Sequence, residues 1–258
     1  LIINGNHSGY KGGQTWLPAF FCIQGRPGWH PEAMRPSLPT GLEPPLKAWL
    51  DLLDRWNRIH ALTALPPEAR WEELVLDAAA LLPAMSHLPA ASRVVDLGTG
   101  MGSPALILAL ARPDLQILGL DAAAKKLAFL RQSALELGIP NLEAIHGRFE
   151  STPPLGADLG VAKALAPLTD LAGWWSRHGN PGAPLLALKG PGWEREPLPK
   201  GWSAEAFPYD LPTRGRRFVV KLAQGSSQGR GPLPGPSGER SPLSASSCRR
   251  RPLPPCCG

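Results

Sequence analysis

The chain has 258 residues, 43% of them hydrophobic, and a formal net charge of +6. That is apolar material for a substantial core, in one large domain or in one domain with tails. No apolar run approaches a membrane span, and the opening LIINGNHSGY lacks the basic-then-apolar order of a secretory signal, so a cytoplasmic protein without a membrane partner is expected, with Met34 as an alternative start.

The 31 prolines and 28 glycines are unevenly spread and are denser toward the two ends. Residues 1–40 hold no sustained apolar period. From Gln224 the chain runs GSSQGRGPLPGPSGERSPLSASSCRRRPLPPCCG, too poor in apolar surface to offset the entropy of ordering it. Both segments are expected to be disordered, leaving 41–223 as the folded domain: a helical cap over 41–90 and a Rossmann-like core over 91–223.

The basic charge lies outside that domain. Lys11, Arg26 and Arg35 against Glu32 leave +2 before residue 41, and Arg230, Arg240, Arg249, Arg250 and Arg251 against Glu239 leave +4 after residue 223. The domain is therefore net neutral, and whole-chain basicity says little about a nucleic-acid partner. Two local clusters remain, Lys125, Lys126 and Arg131, and Arg214, Arg216, Arg217 and Lys221; for both, a solvated face is the plainer alternative. The cysteines (Cys22, Cys248, Cys256, Cys257) fall in the terminal segments, without metal-ligand spacing and unplaced to staple a core, and a reducing compartment is expected.

Leu46, Trp49, Leu50, Leu53, Trp56 and Ile59 recur at helical spacing behind Pro44 and Pro45, which suit a first turn. Trp71 to Leu82 predicts a second amphipathic helix, with Leu74, Val75, Ala78 and Leu81 on one side and an end near Pro83. RVVDL (Arg93 to Leu97) is a short buried strand running into glycines. Ser103 is placed to cap a helix to Ala111, followed by Pro104. Leu115 to Leu120 is a second strand ending at Asp121. Ala122 to Leu137 is a helix stopped by Gly138 and Pro140. Strands are predicted at Leu142 to His146, Leu159 to Ala162 and Pro184 to Lys189, with a helix over Pro167 to Trp175. Such alternation predicts an α/β fold with a doubly wound, mostly parallel sheet, closed by an antiparallel pair at Ala206 to Tyr209 and Arg217 to Leu222.

The chemistry concentrates in VVDLGTGMGS, Val94 to Ser103. Strand, glycine turn and helix place Gly98, Gly100 and Gly102 at the carboxyl end of a parallel strand, where open α/β sheets bind ligands. A dinucleotide fingerprint wants Gly or Ala where Ser103 stands. The spacing G-x-G-x-G, with Asp96 two residues ahead, suits a donor without a pyrophosphate, the acid facing a cationic methionine end. S-adenosyl-L-methionine is that donor. Asp121 is placed to accept hydrogen bonds from ribose hydroxyls. The competing reading is a tight β–α turn whose Asp merely caps it.

Four blocks carry a resemblance: LLDRWNRIHALTAL (Leu52 to Leu65), VVDLGTGMGSPALILALARPD (Val94 to Asp114), LDAAAKKLAFLRQSALELGIPNLEAIHGRFE (Leu120 to Glu150) and LLALKG (Leu185 to Gly190). Over about residues 46 to 222 the chain resembles the bacterial small-subunit ribosomal RNA guanine-N7 methyltransferases (RsmG, also called GidB). The resemblance implies a class I methyltransferase fold, a role in ribosomal RNA processing, and ribosomal RNA or the small ribosomal subunit as partner. It implies a donor site using Gly98 and Ser103, with Asp121 on the ribose and Phe149 and Glu150 flanking the adenine. The family's basic residue in its S-R-A motif falls on Lys163, which keeps the charge but not the planar fork of arginine. The preceding Ser is Ala162, N-L-T is Ala61-Leu62-Thr63, and H-I-L-D-S is Leu74-Val75-Leu76-Asp77-Ala78.

The implied reaction is an in-line displacement at a sulfonium methyl. Guanine N7 offers a free lone pair, so alignment and exclusion of water matter more than a general base. No catalytic residue and no metal are expected, and a monomer suffices. His60, His87, His146 and His178 are read as structural or exposed. Arg148, Lys163, Lys189, Arg214, Arg216 and Arg217 are the candidates for RNA phosphates. The same donor site would serve a small-molecule or protein methyltransferase, or a donor-binding relative without activity.

Overall fold

The computed structural model describes residues 34–225, so the expectations for 1–33 and 226–258, with the four cysteines, lie outside the described residues. Seven strands form one sheet in the order β3-β2-β1-β4-β5-β7-β6. β1 (Arg93–Leu97), β2 (Gln116–Asp121), β3 (Leu142–His146), β4 (Leu159–Lys163) and β5 (Leu185–Lys189) run parallel. β6 (Trp202–Leu211) and β7 (Gly215–Gln224) form a hairpin whose second strand adds antiparallel to β5. The hairpin strands are longer than the short pairs their apolar residues suggest.

The period of two sends alternate residues to opposite faces. Val94, Ile117, Val161, Leu186 and Leu188 face a core built with α5 (Ala105–Ala111), α6 (Ala124–Glu136) and the N-terminal helices. Val95, Leu97, Leu118, Leu120, Leu185 and Ala187 face α7 (Leu168–His178) through Leu168, Leu171 and Trp175. Gly160 admits that packing: a Cβ there would lie 2.6 Å from Leu185 Cδ1 and 2.8 Å from Trp175 Cε3.

The N-terminal helices share the first core. α1 (Glu43–His60) buries Leu46, Trp49, Leu52 and Leu53. Asn57 closes its exit, donating to the Thr63 carbonyl at 3.0 Å and accepting the Thr63 amide at 2.8 Å. The second helix differs from the single amphipathic helix expected. It begins at Pro67 as α2 (Pro67–Arg70), widens into a π-helical segment (Trp71–Leu76) and returns to α-geometry as α3 (Asp77–Ala79). Pro83 does not end it; it sits in the first turn of a separate short α4 (Leu82–Met85), where a missing N–H costs little. The four residues expected on its buried side, Leu74, Val75, Ala78 and Leu81, are buried. Within the stretch expected to be disordered, Met34 bridges Tyr209, and its carbonyl accepts the Asp210 amide at 3.0 Å.

Candidate functional site

The carboxyl ends of β1 to β5 carry Asp96, Asp121, the Phe149 loop, Lys163 and Lys189 along one edge of the sheet. At its centre β1 runs into the glycine loop. Gly98 (φ +71°) and Gly100 (φ +56°) take left-handed backbone that other residues adopt only with strain. The Gly98 amide donates to the Leu120 carbonyl at 2.8 Å, which binds the turn to the neighbouring strand. A Cβ on Gly98 would sit 2.6 Å from Leu165 Cδ1, so the loop leaving β4 packs directly on it. Over Gly100 the nearest neighbour is Lys126 Cδ at 3.9 Å, leaving room for a ligand. Gly102 is spare by packing: a Cβ would meet Leu130 Cδ1 at 2.8 Å.

Two carboxylates hold this loop. Asp121 Oδ2 accepts the Gly100 amide at 2.8 Å, and its Oδ1 accepts the Ala123 amide at 2.7 Å at the start of α6. Each oxygen retains a lone pair for a further donor. Asp96 is fully buried; its Oδ2 accepts the Ala105 amide at 3.0 Å, so it does cap α5, across the loop. Its Oδ1 and the Thr99 hydroxyl are both buried and make no hydrogen bond of full geometry, although the hydroxyl stands close enough to the carboxylate to lower its pKa. A buried carboxylate oxygen left in this way is costly unless a further donor reaches it. Burial pushes the Asp96 carboxyl up to about 7; Thr99 and the Ala105 amide pull it down, Asp121 pushes it further up, and Lys163 opposes that. The capping reading is met by Oδ2, which leaves Oδ1 of the same side chain to other partners.

Ser103 does not cap α5. Pro104 occupies the N-cap without a side-chain bond, and the Ser103 hydroxyl donates to the Leu74 carbonyl in the π-helical segment at 2.7 Å. The reason is competition: the Asp96 carboxylate already takes the Ala105 amide, and the widened turn offers Ser103 an acceptor. The Lys163 side chain is mostly withdrawn from solvent, 12% exposed. Its ammonium pairs with Asp77 Oδ2 at 3.4 Å and donates to the Glu73 carbonyl. Burial lowers its pKa, against the opposing effect of Asp77.

Phe149 and Glu150 follow β3, whose His146 lies in register with Asp121. They are tied to α7: the Phe149 ring meets Trp174 at 4.6 Å between centroids, and Glu150 Oε1 accepts the Trp174 indole N–H at 2.8 Å. His178, buried, shares a 2.8 Å hydrogen bond through Nε2 with the Phe149 carbonyl, and burial lowers its pKa.

Most of the expected RNA contacts spend their charge inside the chain. Lys189 pairs with Glu196 at 2.7 Å and donates to the Ala166 carbonyl at 2.8 Å. Arg214 pairs with Glu73, Arg216 with Asp210 at 2.6 Å, and Arg217 with Asp77 at 3.3 Å. Arg148 is exposed. Arg214 and Arg216 remain about half exposed beside their acids, while Arg217 is largely buried on Asp77.

Three residues that sequence reasoning did not place around the glycine loop emerge here. Asp77 is a buried hub for Lys163, Arg217 and the Tyr209 hydroxyl. Glu72 grips the hairpin turn, accepting the Thr213 amide at 2.8 Å, the Thr213 hydroxyl at 2.6 Å and the Arg214 amide at 2.9 Å. Lys126 overhangs Gly100. Asp77 stood in the LVLDA block, where a lone acid among apolar residues was the available signal.

Among the described residues no group of three or more His, Cys, Asp or Glu is placed to hold a metal, and no helix is long and apolar enough to cross a membrane.

The sheet order, the glycine turn after β1 and the acid ending β2 define a class I methyltransferase fold, built around S-adenosylmethionine. The structure of MtNAS in complex with MTA and tNA superposes with a TM-score of 0.50 at 14% identity, over 69% of this chain and 70% of that one, a likeness of fold alone. Residues 43–201 match the GidB family, described as rRNA small subunit methyltransferase G. The chain is 38% identical over 159 residues to the ribosomal RNA small subunit methyltransferase G of Neisseria gonorrhoeae, covering 61% of this chain and 75% of that protein. It is 37% identical over 174 residues to the same-named protein of Bordetella avium, covering 65% and 78%. The chain belongs to the rRNA small subunit methyltransferase G family.

Proposed function

We propose that this chain transfers a methyl group from S-adenosylmethionine to N7 of a guanine in small-subunit (16S) ribosomal RNA, in the cytoplasm. The observation that carries the donor half is the glycine turn held by Asp121 beside a buried Asp96 oxygen that makes no hydrogen bond of full geometry. Membership of the family carries the RNA half.

The residues fit the donor. Open space over Gly100 admits an adenosyl group, and the buried Asp96 Oδ1 faces a need that an ammonium meets. Asp121 would take the ribose hydroxyls on its remaining lone pairs, and Phe149 and Glu150 would border the adenine. When bound, S-adenosylmethionine supplies a methyl group on a sulfonium. The chain's part is alignment: the Asp121 and Asp96 hydrogen bonds fix the loop before substrate arrives, so little ordering remains to be done at the reaction. The N7 lone pair attacks without losing a proton, so no side chain is asked to act as base.

For the RNA backbone the contacts move toward the loop itself. Lys125 donates to the His60 carbonyl at 3.1 Å, bringing the end of α1 against the start of α6. Exposed Arg58 and Lys125, half-buried Lys126 and exposed Arg148 offer cations there, with Ile59 80% exposed among them. Exposed apolar surface beside cations is what an unstacked RNA base recognises.

The test is transfer of a labelled methyl group to bulk ribosomal RNA and to small subunits lacking the modification. Label mapped to a guanine N7 supports the proposal. Label on protein or small molecules only, or donor binding without transfer to either RNA, overturns it.

A further inference from the structure

Asp77 gathers groups from three separate elements. Its carboxylate, 2% exposed, pairs with Lys163 at the end of β4 and with Arg217 of β7, and it accepts the hydroxyl of Tyr209 in β6. We infer that Asp77 is a positioning residue for the donor site, acting through Lys163: it fixes the ammonium at the end of β4, the strand beside the one that runs into the glycine loop. The inference rests on the donor-site reading above.

Cap docking alone does not call for this carboxylate. The cap is already anchored by buried Leu74, Val75, Ala78 and Leu81 and by the grip of Glu72 on the hairpin turn. Buried ion pairs hold little advantage over apolar packing as a source of stability. What the carboxylate adds is a location. Ala162, just before Lys163, lies in register with Leu97, the last residue before Gly98. Two residues beyond Lys163, the Leu165 side chain covers Gly98. A lysine stem is long and flexible, so without Asp77 its charge would swing toward water. Held between Asp77 and the Glu73 carbonyl, the ammonium stays near enough to influence the Asp96 carboxyl. It has three N–H donors, and two are occupied, leaving one for a further acceptor. The π-helical segment takes part: it presents the Glu73 carbonyl to Lys163 and the Leu74 carbonyl to Ser103, so the same turn registers both sides of the loop.

The experiment is a double-mutant cycle on donor affinity, with S-adenosylmethionine and its demethylated product titrated calorimetrically into the full chain. Asp77→Asn and Lys163→Gln are each expected to weaken donor binding about tenfold, and the double variant no more than the worse single, because the two act as one unit. Lys163→Arg, which keeps the charge, is expected to restore most of the affinity. Gly160→Ala serves as a destabilised control away from the loop, expected to lower Tm and leave donor affinity as in the wild type. Should Asp77→Asn not fold, Asp77→Glu decides: the charge is kept but displaced by one methylene, and affinity is expected to fall several-fold at little change in Tm. Additive losses in the double variant, or wild-type affinity in folded Asp77→Asn or Asp77→Glu, overturn the inference. A wild-type chain that ignores both ligands overturns the donor-site reading itself.

Discussion

Asp121 Oδ2 and the Gly100 amide are joined at 2.8 Å, so the acid that ends β2 holds the loop that leaves β1. The same carboxylate opens α6 through the Ala123 amide. One side chain therefore ties the glycine loop to the start of α6. Asp121→Ala removes both acceptors and leaves two loop amides to find water. Charge-assisted hydrogen bonds of this kind contribute about 1.5–3 kcal/mol each. Donor affinity should fall by about ten- to a hundredfold, read by calorimetry; unchanged affinity would remove Asp121 from the site.

Asp96 makes pH a probe. Burial raises its folded-state carboxyl to about 7 from an ordinary value of 3.8. Between those values the folded state binds the proton more tightly than the unfolded chain, so the contribution is full below the ordinary value and is lost as pH rises through about 7. The span corresponds to a few kcal/mol at most. Asp96→Asn should flatten the pH dependence of denaturant stability between pH 4 and 7 and gain most, relative to the wild type, at pH 8. Donor affinity should run the opposite way, improving as pH rises through about 7, because an ionised Asp96 faces the cationic methionine end. A flat affinity profile across that range would count against the assignment.

The two glycines should separate folding from binding. Gly98→Ala places a Cβ 2.6 Å from Leu165 Cδ1 at a φ of +71°, combining backbone strain with overpacking, about 2–4 kcal/mol together. Gly100→Ala meets only Lys126 Cδ at 3.9 Å, so its stability cost is the positive φ alone, about 1 kcal/mol. Thermal unfolding should show a large drop for the first and a small one for the second. Donor titration should show a loss for Gly100→Ala well beyond its change in stability.

Charge removal at the paired and the open cations should differ in its effect on RNA binding. Lys125→Ala and Lys126→Ala should each lower affinity for ribosomal RNA fragments and reduce the slope of log affinity against log salt by about 1. Arg216→Ala, whose guanidinium lies on Asp210 at 2.6 Å, should leave the slope nearly unchanged. Equal slopes for all three would return the hairpin to the RNA-facing surface.

Much of the fold was legible because its signals are local. VVDL followed by GTGMG states strand, turn and helix within ten residues, and the alternation of LQILGL with the Ala122 to Leu137 helix states a parallel pair. The widened turn at Trp71–Leu76 was not legible, since WEELVL has ordinary helical periodicity. Its shape goes with the contacts of Glu72, the Glu73 carbonyl and the Leu74 carbonyl, which are made to Thr213, Lys163 and Ser103. The partners of Arg214 and Arg217 were not legible either, because Glu73 and Asp77 lie far off in the chain, whereas Asp210 stands six residues from Arg216.

By itself the sequence determined the sheet, the glycine turn and the two acids that frame it, because strand period, helix period and turn chemistry act over a few neighbouring residues. Tertiary structure alone decided which oxygen of Asp96 is spent, that Ser103 serves the cap, and that Asp77 holds Lys163. Glu72 and Thr213 stand 141 positions apart, and Lys163 and Glu73 stand 90 apart. Partners at such separation meet only when packing folds the chain back on itself, and nothing in either local stretch encodes the meeting.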